Sequence, residues 1–221
     1  ENASISEVLP AVSLPPELQS LVDSAAYNQV VEGYGAWFLN RITGYSFDSG
    51  ETLSKTQVQQ IKIQDAQGVA NFSTLEFNFD PAFEQLYVNS LVVRDAAGEQ
   101  VAEGDPVAYY VTSTVDGYEA STEKTAHLPV PSLAPGMVIQ VTVTKRIKVE
   151  ENEFPLEIHY LSSSRPIGYS AVFVSGQHDK LRFRSFGIDA PVIRDGSLVW
   201  EAVNPVIYRW EPMQPWYDRM L

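Results

Sequence analysis

The sequence has no cysteine among its 221 residues. That absence excludes a disulfide framework, a thiolate metal site and a cysteine nucleophile. No apolar run approaches the about 20 residues that carry a helix across a bilayer. Basic residues are scarce in the first half. Residues 1–110 hold 4 Lys and Arg against 15 Asp and Glu, whereas residues 111–221 hold 11 against 13. With a net charge of −13, the chain would repel nucleic-acid phosphates and an anionic membrane surface. Neither nucleic acid nor membrane insertion is expected of it.

Catalytic signatures are missing too. No serine sits in a Gly-x-Ser-x-Gly elbow, and there is no Gly-x-Gly-x-x-Gly or Walker-type loop. His127, His159 and His178 fall in separate segments without metal-ligand spacing and read as structural or exposed side chains. Glu103 and Asp105 lie in a Gly/Pro turn, and Glu150, Glu151 and Glu153 follow a basic strand end. Both groups read as solvated loops rather than as the paired carboxylates of a glycosidase. Calcium binding by Glu103, Asp105 or Asp116 would not match an EF-hand spacing. No catalytic residue, cofactor or metal ligand is therefore assigned.

What the sequence does have is strand chemistry. Val, Ile and Leu are joined by 11 Tyr, 10 Phe and 4 Trp, side chains that suit a pleated, half-buried surface. Residues 1–16 read as a tether. Ser13, Pro15, Pro16, Leu18, Leu21, Val22 and Ala25 then predict one short helix ending near Gly33 or Gly35. From there the period becomes two. Residues 37–42 and 57–63 flank a turn at Asp48-Ser49-Gly50 and predict a hairpin. Leu75, Phe77 and Phe79 alternate with Glu76 and Asn78, the pattern of a half-buried strand. Further strands are expected at 86–94, 107–114, 137–149, 156–161, 168–174, 181–186, 197–202 and 206–211. In the longest, Val141, Val143, Lys145, Ile147 and Val149 share one side, and the other side should be mostly wet. The expected fold is all-β: antiparallel sheets in a sandwich or saddle. Residues 1–34 form the tether and helix, residues 35–221 the β domain, with a possible sub-lobe seam near 129–155.

The order of these segments is similar to a β-rich domain of unknown function that precedes the transglutaminase-like core in many bacterial proteins. Residues 58–63, Gly68-Val69 and residues 75–80 resemble its opening strands. Residues 86–94 with Asp95-Ala96-Ala97-Gly98 resemble a strand closed by Arg and a glycine turn. Leu133, Gly136, Val138 and Ile139 resemble its lead into a long strand, and Ser164-Arg165-Pro166-Ile167 a later Pro step. Tyr208-Arg209-Trp210-Glu211 and Pro212 to Trp216 resemble its closing strand and exit. The resemblance covers residues 35–221 and implies that the Cys-His-Asp chemistry belongs to a core downstream.

The first residue is Glu1, not Met, and the last stretch is rich in Trp and Pro. The chain thus reads as a piece of a longer, exported protein, periplasmic or extracellular. Tyr109, Tyr110, Trp216 and Tyr217 are candidate contacts for a partner or ligand, whereas Tyr208 and Trp210 are expected in the core. Three roles follow, in this order: an accessory domain that positions a transglutaminase-like core of the same polypeptide or its substrate, a peptide- or glycan-binding module, and a carboxylate hydrolase.

Overall fold

The computed structural model of the protein describes residues 11–23, 31–49, 51–113, 122–150, 154–176 and 181–207. The order of its elements is α1 (Pro16–Asp23), β1 (Ala36–Ser49), β2 (Thr52–Ile63), α2 (Ala66–Phe72), β3 (Thr74–Phe79), β4 (Glu84–Arg94), β5 (Gln100–Glu103), a 3-10 turn (Pro106–Ala108), β6 (Tyr110–Ser113), β7 (Lys124–Pro129), β8 (Val138–Lys148), β9 (Ile167–Ser175), β10 (Val192–Arg194) and β11 (Ser197–Val203). The strands form an eight-stranded sheet, β10-β11-β9-β1-β2-β8-β4-β5, and a three-stranded sheet, β3-β7-β6. The architecture is all-β, as expected.

The β1–β2 hairpin is longer than the alternation suggested, with register from Ala36↔Ile63 to Ser49↔Thr52. It forms the centre of the large sheet. Because strand side chains alternate between faces, its register builds rows across several strands. Arg41 pairs with Gln59, Thr43 with Gln57 and Tyr45 with Lys55. On the other side of β1, β9 places Ser170, Val172 and Val174 beside Arg41, Thr43 and Tyr45. These residues share one face.

That face is covered at both ends and open in the middle. At one end Ile61, Ile63, Val93, Ile139, Val141 and Val143 pack against Leu75, Phe77, Phe79, Ala126 and Leu128 of the small sheet. At the other, Tyr45, Leu53, Ile147, Val172 and Val174 lie under Phe154, Leu161 and Leu181. The opposite face receives α1, whose Leu18 and Val22 bury against Ile42, Val58, Phe173 and Val199. Glu17 of α1 also approaches Arg194 at 3.4 Å. Gly44 is needed for this packing, because a Cβ there would come within 2.1 Å of the buried Phe173 ring.

Several expectations are corrected. β1 and β9 are parallel, so the large sheet is mixed; a parallel neighbour requires a long crossover, here the whole chain between them. A second helix, α2, starts where the Asp65 carboxylate accepts the Gly68 N–H at 2.9 Å, a cap the strand pattern concealed. Residues 156–161 and 181–186 are irregular, not strands. The start of the 107–114 strand is instead the 3-10 turn, capped by Asp105 at 2.9 Å. Strands β5, β7 and β10 were not foreseen; β5 and β10 have 4 and 3 residues, too short for a periodic signal. The polar side of β8 is partly dry: Thr144, 1% exposed, bonds Thr56 at 2.8 Å and receives the Asn89 amide at 2.6 Å. Asp116, the helix continuation through Ala25 and the core positions Tyr208 and Trp210 lie outside the described residues.

Candidate functional site

The gap between the two covered ends of the large sheet is a cleft of about 260 Å³. Arg41, Thr43, Gln57, Gln59 and Ser170 contribute from three neighbouring strands, and residues 158–161 contribute from the irregular segment. The row arises from register. On β1 and β2 the polar residues at alternate positions all reach the same face, which an apolar-period search passes over.

The segment carrying residues 154–165 crosses the sheet like a strap, and polar side chains hold it there. The Tyr45 hydroxyl, fully buried, lies 2.7 Å from Nε2 of His159. Lys55 Nζ donates to both carboxylate oxygens of Glu157, at 2.8 and 2.9 Å. Arg41 Nη2 donates to the carbonyls of Tyr160 and Ser162, at 2.5 and 3.2 Å. Phe154 meets the Tyr45 ring edge-on at 4.9 Å. Arg165 stacks over Phe72 of α2 at 5.2 Å, tying the strap to the small-sheet end.

These surroundings set the protonation states. Burial, and then the charge on Lys55, push His159 below its usual range. Burial, and then the charge and hydrogen bonding of Glu157, push the Tyr45 phenol up. Both groups are neutral at pH 7, and which of them donates in the bond between them follows the His159 tautomer. Burial lowers the Arg41 guanidinium from its ordinary value.

A second cluster lies on the solvent side of the small sheet. His127 has Glu76 3.2 Å from Nδ1 and the Thr112 hydroxyl 2.9 Å from Nε2, with the Tyr110 ring stacked on it at 4.7 Å. The order hydroxyl–imidazole–carboxylate resembles a nucleophile relay. Cross-strand pairing accounts for it, since His127 is in register with both Glu76 and Tyr110. Thr112 is exposed, so nothing excludes water from its hydroxyl.

Of the residues singled out in the sequence, Tyr110 is 51% exposed on this small-sheet cluster. Tyr109 is half-buried against the core between the sheets, its phenol pushed up by burial and then by Asp105 and Glu103. Trp216 and Tyr217 lie outside the described residues. His159, read from the sequence as structural or exposed, is part of the strap. Arg41, Tyr45, Lys55 and Glu157 were not singled out. The available signal was the alternation of Arg41, Thr43 and Tyr45 opposite Lys55, Gln57 and Gln59. Its pairing with residues 157–162 had none.

Fold and cleft define an all-β domain of two unequal sheets, with a polar groove under a strap. The chain belongs to the family described as a Domain of Unknown Function with solved structure (DUF3857), which matches residues 51–211. Among solved structures it is similar to a candidate protease from Parabacteroides distasonis, with a TM-score of 0.68 at 15% identity, over 82% of this chain and 38% of that one. The chain thus spans well under half of that protein's length. Yeast LTA4 hydrolase gives a TM-score of 0.38 at 9% identity, over 76% of this chain and 26% of that one. An M1 zinc metallopeptidase from Deinococcus radiodurans gives 0.36 at 12% identity, over 78% and 39%. Likeness at these last two levels carries no argument. No curated protein sequence matches the chain.

Proposed function

We propose that this chain is a non-catalytic accessory domain of a longer cell-envelope protein, preceding a transglutaminase-like core and positioning that core or its substrate. One observation carries the reading. A charged and titratable cluster among the described residues, Arg41, Tyr45, Lys55, Glu157 and His159, is engaged in bonds that fasten the strap to the sheet. Its polar groups stabilise a rigid surface rather than present an activated nucleophile. The missing cysteine means that a transglutaminase-like nucleophile would have to come from elsewhere in the polypeptide. The order of motifs from residue 35 onward supports that neighbour, and the similarity to 38% of a candidate protease is compatible with a module attached to a hydrolytic core. Tyr110 on the small sheet, with Tyr109, Trp216 and Tyr217, is the proposed contact with that core.

The test compares the full polypeptide of the parent gene with a version lacking residues 1–221. Loss of the domain should lower the core's stability or change its substrate choice. Unchanged activity, melting temperature and substrate range would overturn the proposal.

A further inference from the structure

The cleft contains a positive charge with no acidic partner among the described residues. Arg41 is half-buried and its guanidinium lies 5.9 Å over the Phe38 ring, but its donors beyond Nη2 have no hydrogen-bond partner among the described residues. It makes no ion pair there either: Glu157 bonds Lys55, and Glu84 bonds Lys145 at 3.1 Å. Its two acceptors are neutral carbonyls. A guanidinium has five N–H donors in a planar fork that matches a carboxylate bidentately. Removing such a charge partly from water without a counter-ion is unfavourable, the more noticeable in a chain of net charge −13.

The surroundings suit an anion with further hydrogen-bonding groups. Gln57 and Gln59 line the same cleft, and their amides have no partner among the described residues. Each offers donors and an acceptor. The Thr43 and Ser170 hydroxyls stand on the neighbouring strands. Ile158 and Tyr160, 71% and 65% exposed, form an apolar border. The volume, about 260 Å³, lies just below the roughly 300–1,000 Å³ of drug-sized sites, so the occupant is about one residue or one sugar ring.

We propose that this cleft binds a carboxylate, with the Arg41 guanidinium as counter-ion and the Gln57 and Gln59 amides and Thr43 hydroxyl recognising the polar groups beside it. The carboxylate belongs to a peptide end or to a uronic acid. This site stands whether or not the domain serves a transglutaminase-like core, because it is defined within the chain.

The test titrates the whole chain at pH 7 with N-acetyl-alanyl-alanine, its C-terminal amide, glucuronate and sulfate. Binding is followed by calorimetry and by the side-chain amide NMR signals of Gln57 and Gln59. One carboxylate should bind saturably in the millimolar range and shift both amides, with the peptide amide at least tenfold weaker than the peptide acid if the peptide is the source. Glucuronate binding without peptide binding supports the site and assigns the sugar source. Arg41→Lys, which keeps the charge and loses the fork, should weaken binding at least tenfold. Gln59→Ala, which leaves the strap bonds intact, should weaken it severalfold, and it decides the matter if the Arg41 variant does not fold. Sulfate binding as tightly as either carboxylate overturns the proposal. So does the absence of saturable shifts at about 10 mM, or binding unaffected by both substitutions.

Discussion

The Tyr45 hydroxyl meets Nε2 of His159 at 2.7 Å across 114 residues of sequence. This contact joins the centre of the large sheet to a segment with no regular structure. The strap lacks ladder hydrogen bonds to the sheet, so side chains must supply what backbone pairing supplies elsewhere.

Tyr45→Phe keeps the packing and removes the hydroxyl, leaving buried His159 without its partner. The expected cost is about 0.5–1.5 kcal/mol, read as a lowered midpoint in urea denaturation with an unchanged slope. Hydrogen exchange and proteolysis should accelerate within residues 154–165 before the sheets respond. A variant as stable and as protected as the parent would show that the bond does not hold the strap.

His159 gives the fold a pH dependence of definite sign. Its folded pKa lies below the 6.5 of the free side chain, so the unfolded chain binds the proton more readily. The resulting stability is fully present above about pH 6.5 and is lost as the pH falls through the folded value. His159 should titrate below 6.5 in an NMR pH series, and His159→Gln should flatten the decline in melting temperature between about pH 7 and 5. A folded value at or above 6.5 would contradict this.

Lys55 and Lys145 are direct cross-strand neighbours, a like-charge pairing that is unfavourable by itself. Each is neutralised by its own acid, Glu157 and Glu84. Glu157→Gln should therefore destabilise, with a Lys55–Glu157 coupling of about 1 kcal/mol in a double-mutant cycle using Lys55→Met. Because the pair is partly exposed, the coupling should shrink in about 1 M salt. A coupling of zero at low salt would assign the strap's attachment to its apolar contacts alone.

The Thr112–His127–Glu76 row should carry no hydrolysis. Turnover of p-nitrophenyl acetate by the whole chain should match that of His127→Ala, since no water-excluding site surrounds the hydroxyl. A parent rate tenfold above the variant would reverse this reading and make the row a catalytic site.

Much of the fold was legible locally. Leu75, Phe77 and Phe79 announced both a strand and its buried face, and all three are buried. The predicted hairpin, the long β8 and the segments that became β4, β9 and β11 rest on the same period. The errors have one origin. Residues 156–161 alternate apolar with polar side chains as a strand would, yet Leu156, Ile158 and Tyr160 face solvent at 95%, 71% and 65% exposure. Alternation reports two differing faces; it does not report whether a neighbouring strand supplies the ladder. β7 escaped notice because Pro129 and His127 interrupt its apolar run.

The cleft was hidden for a different reason. Arg41 and Gln59 are 18 positions apart, and Ser170 is more than 100 further on. Only the antiparallel register of β1 with β2 and the parallel docking of β9 set them in one row.

The sequence by itself determined the class of the protein: no cysteine chemistry, an acidic chain, and β-branched and aromatic alternation that commits it to sheets. These are properties of single residues and near neighbours, so they survive without coordinates. Tertiary structure alone decided the mixed order of the large sheet, the strap and the placement of Arg41 in the cleft without an acidic partner among the described residues. Each depends on which distant strands pair and in what register, and a shift of one residue would turn every one of those side chains to the opposite face.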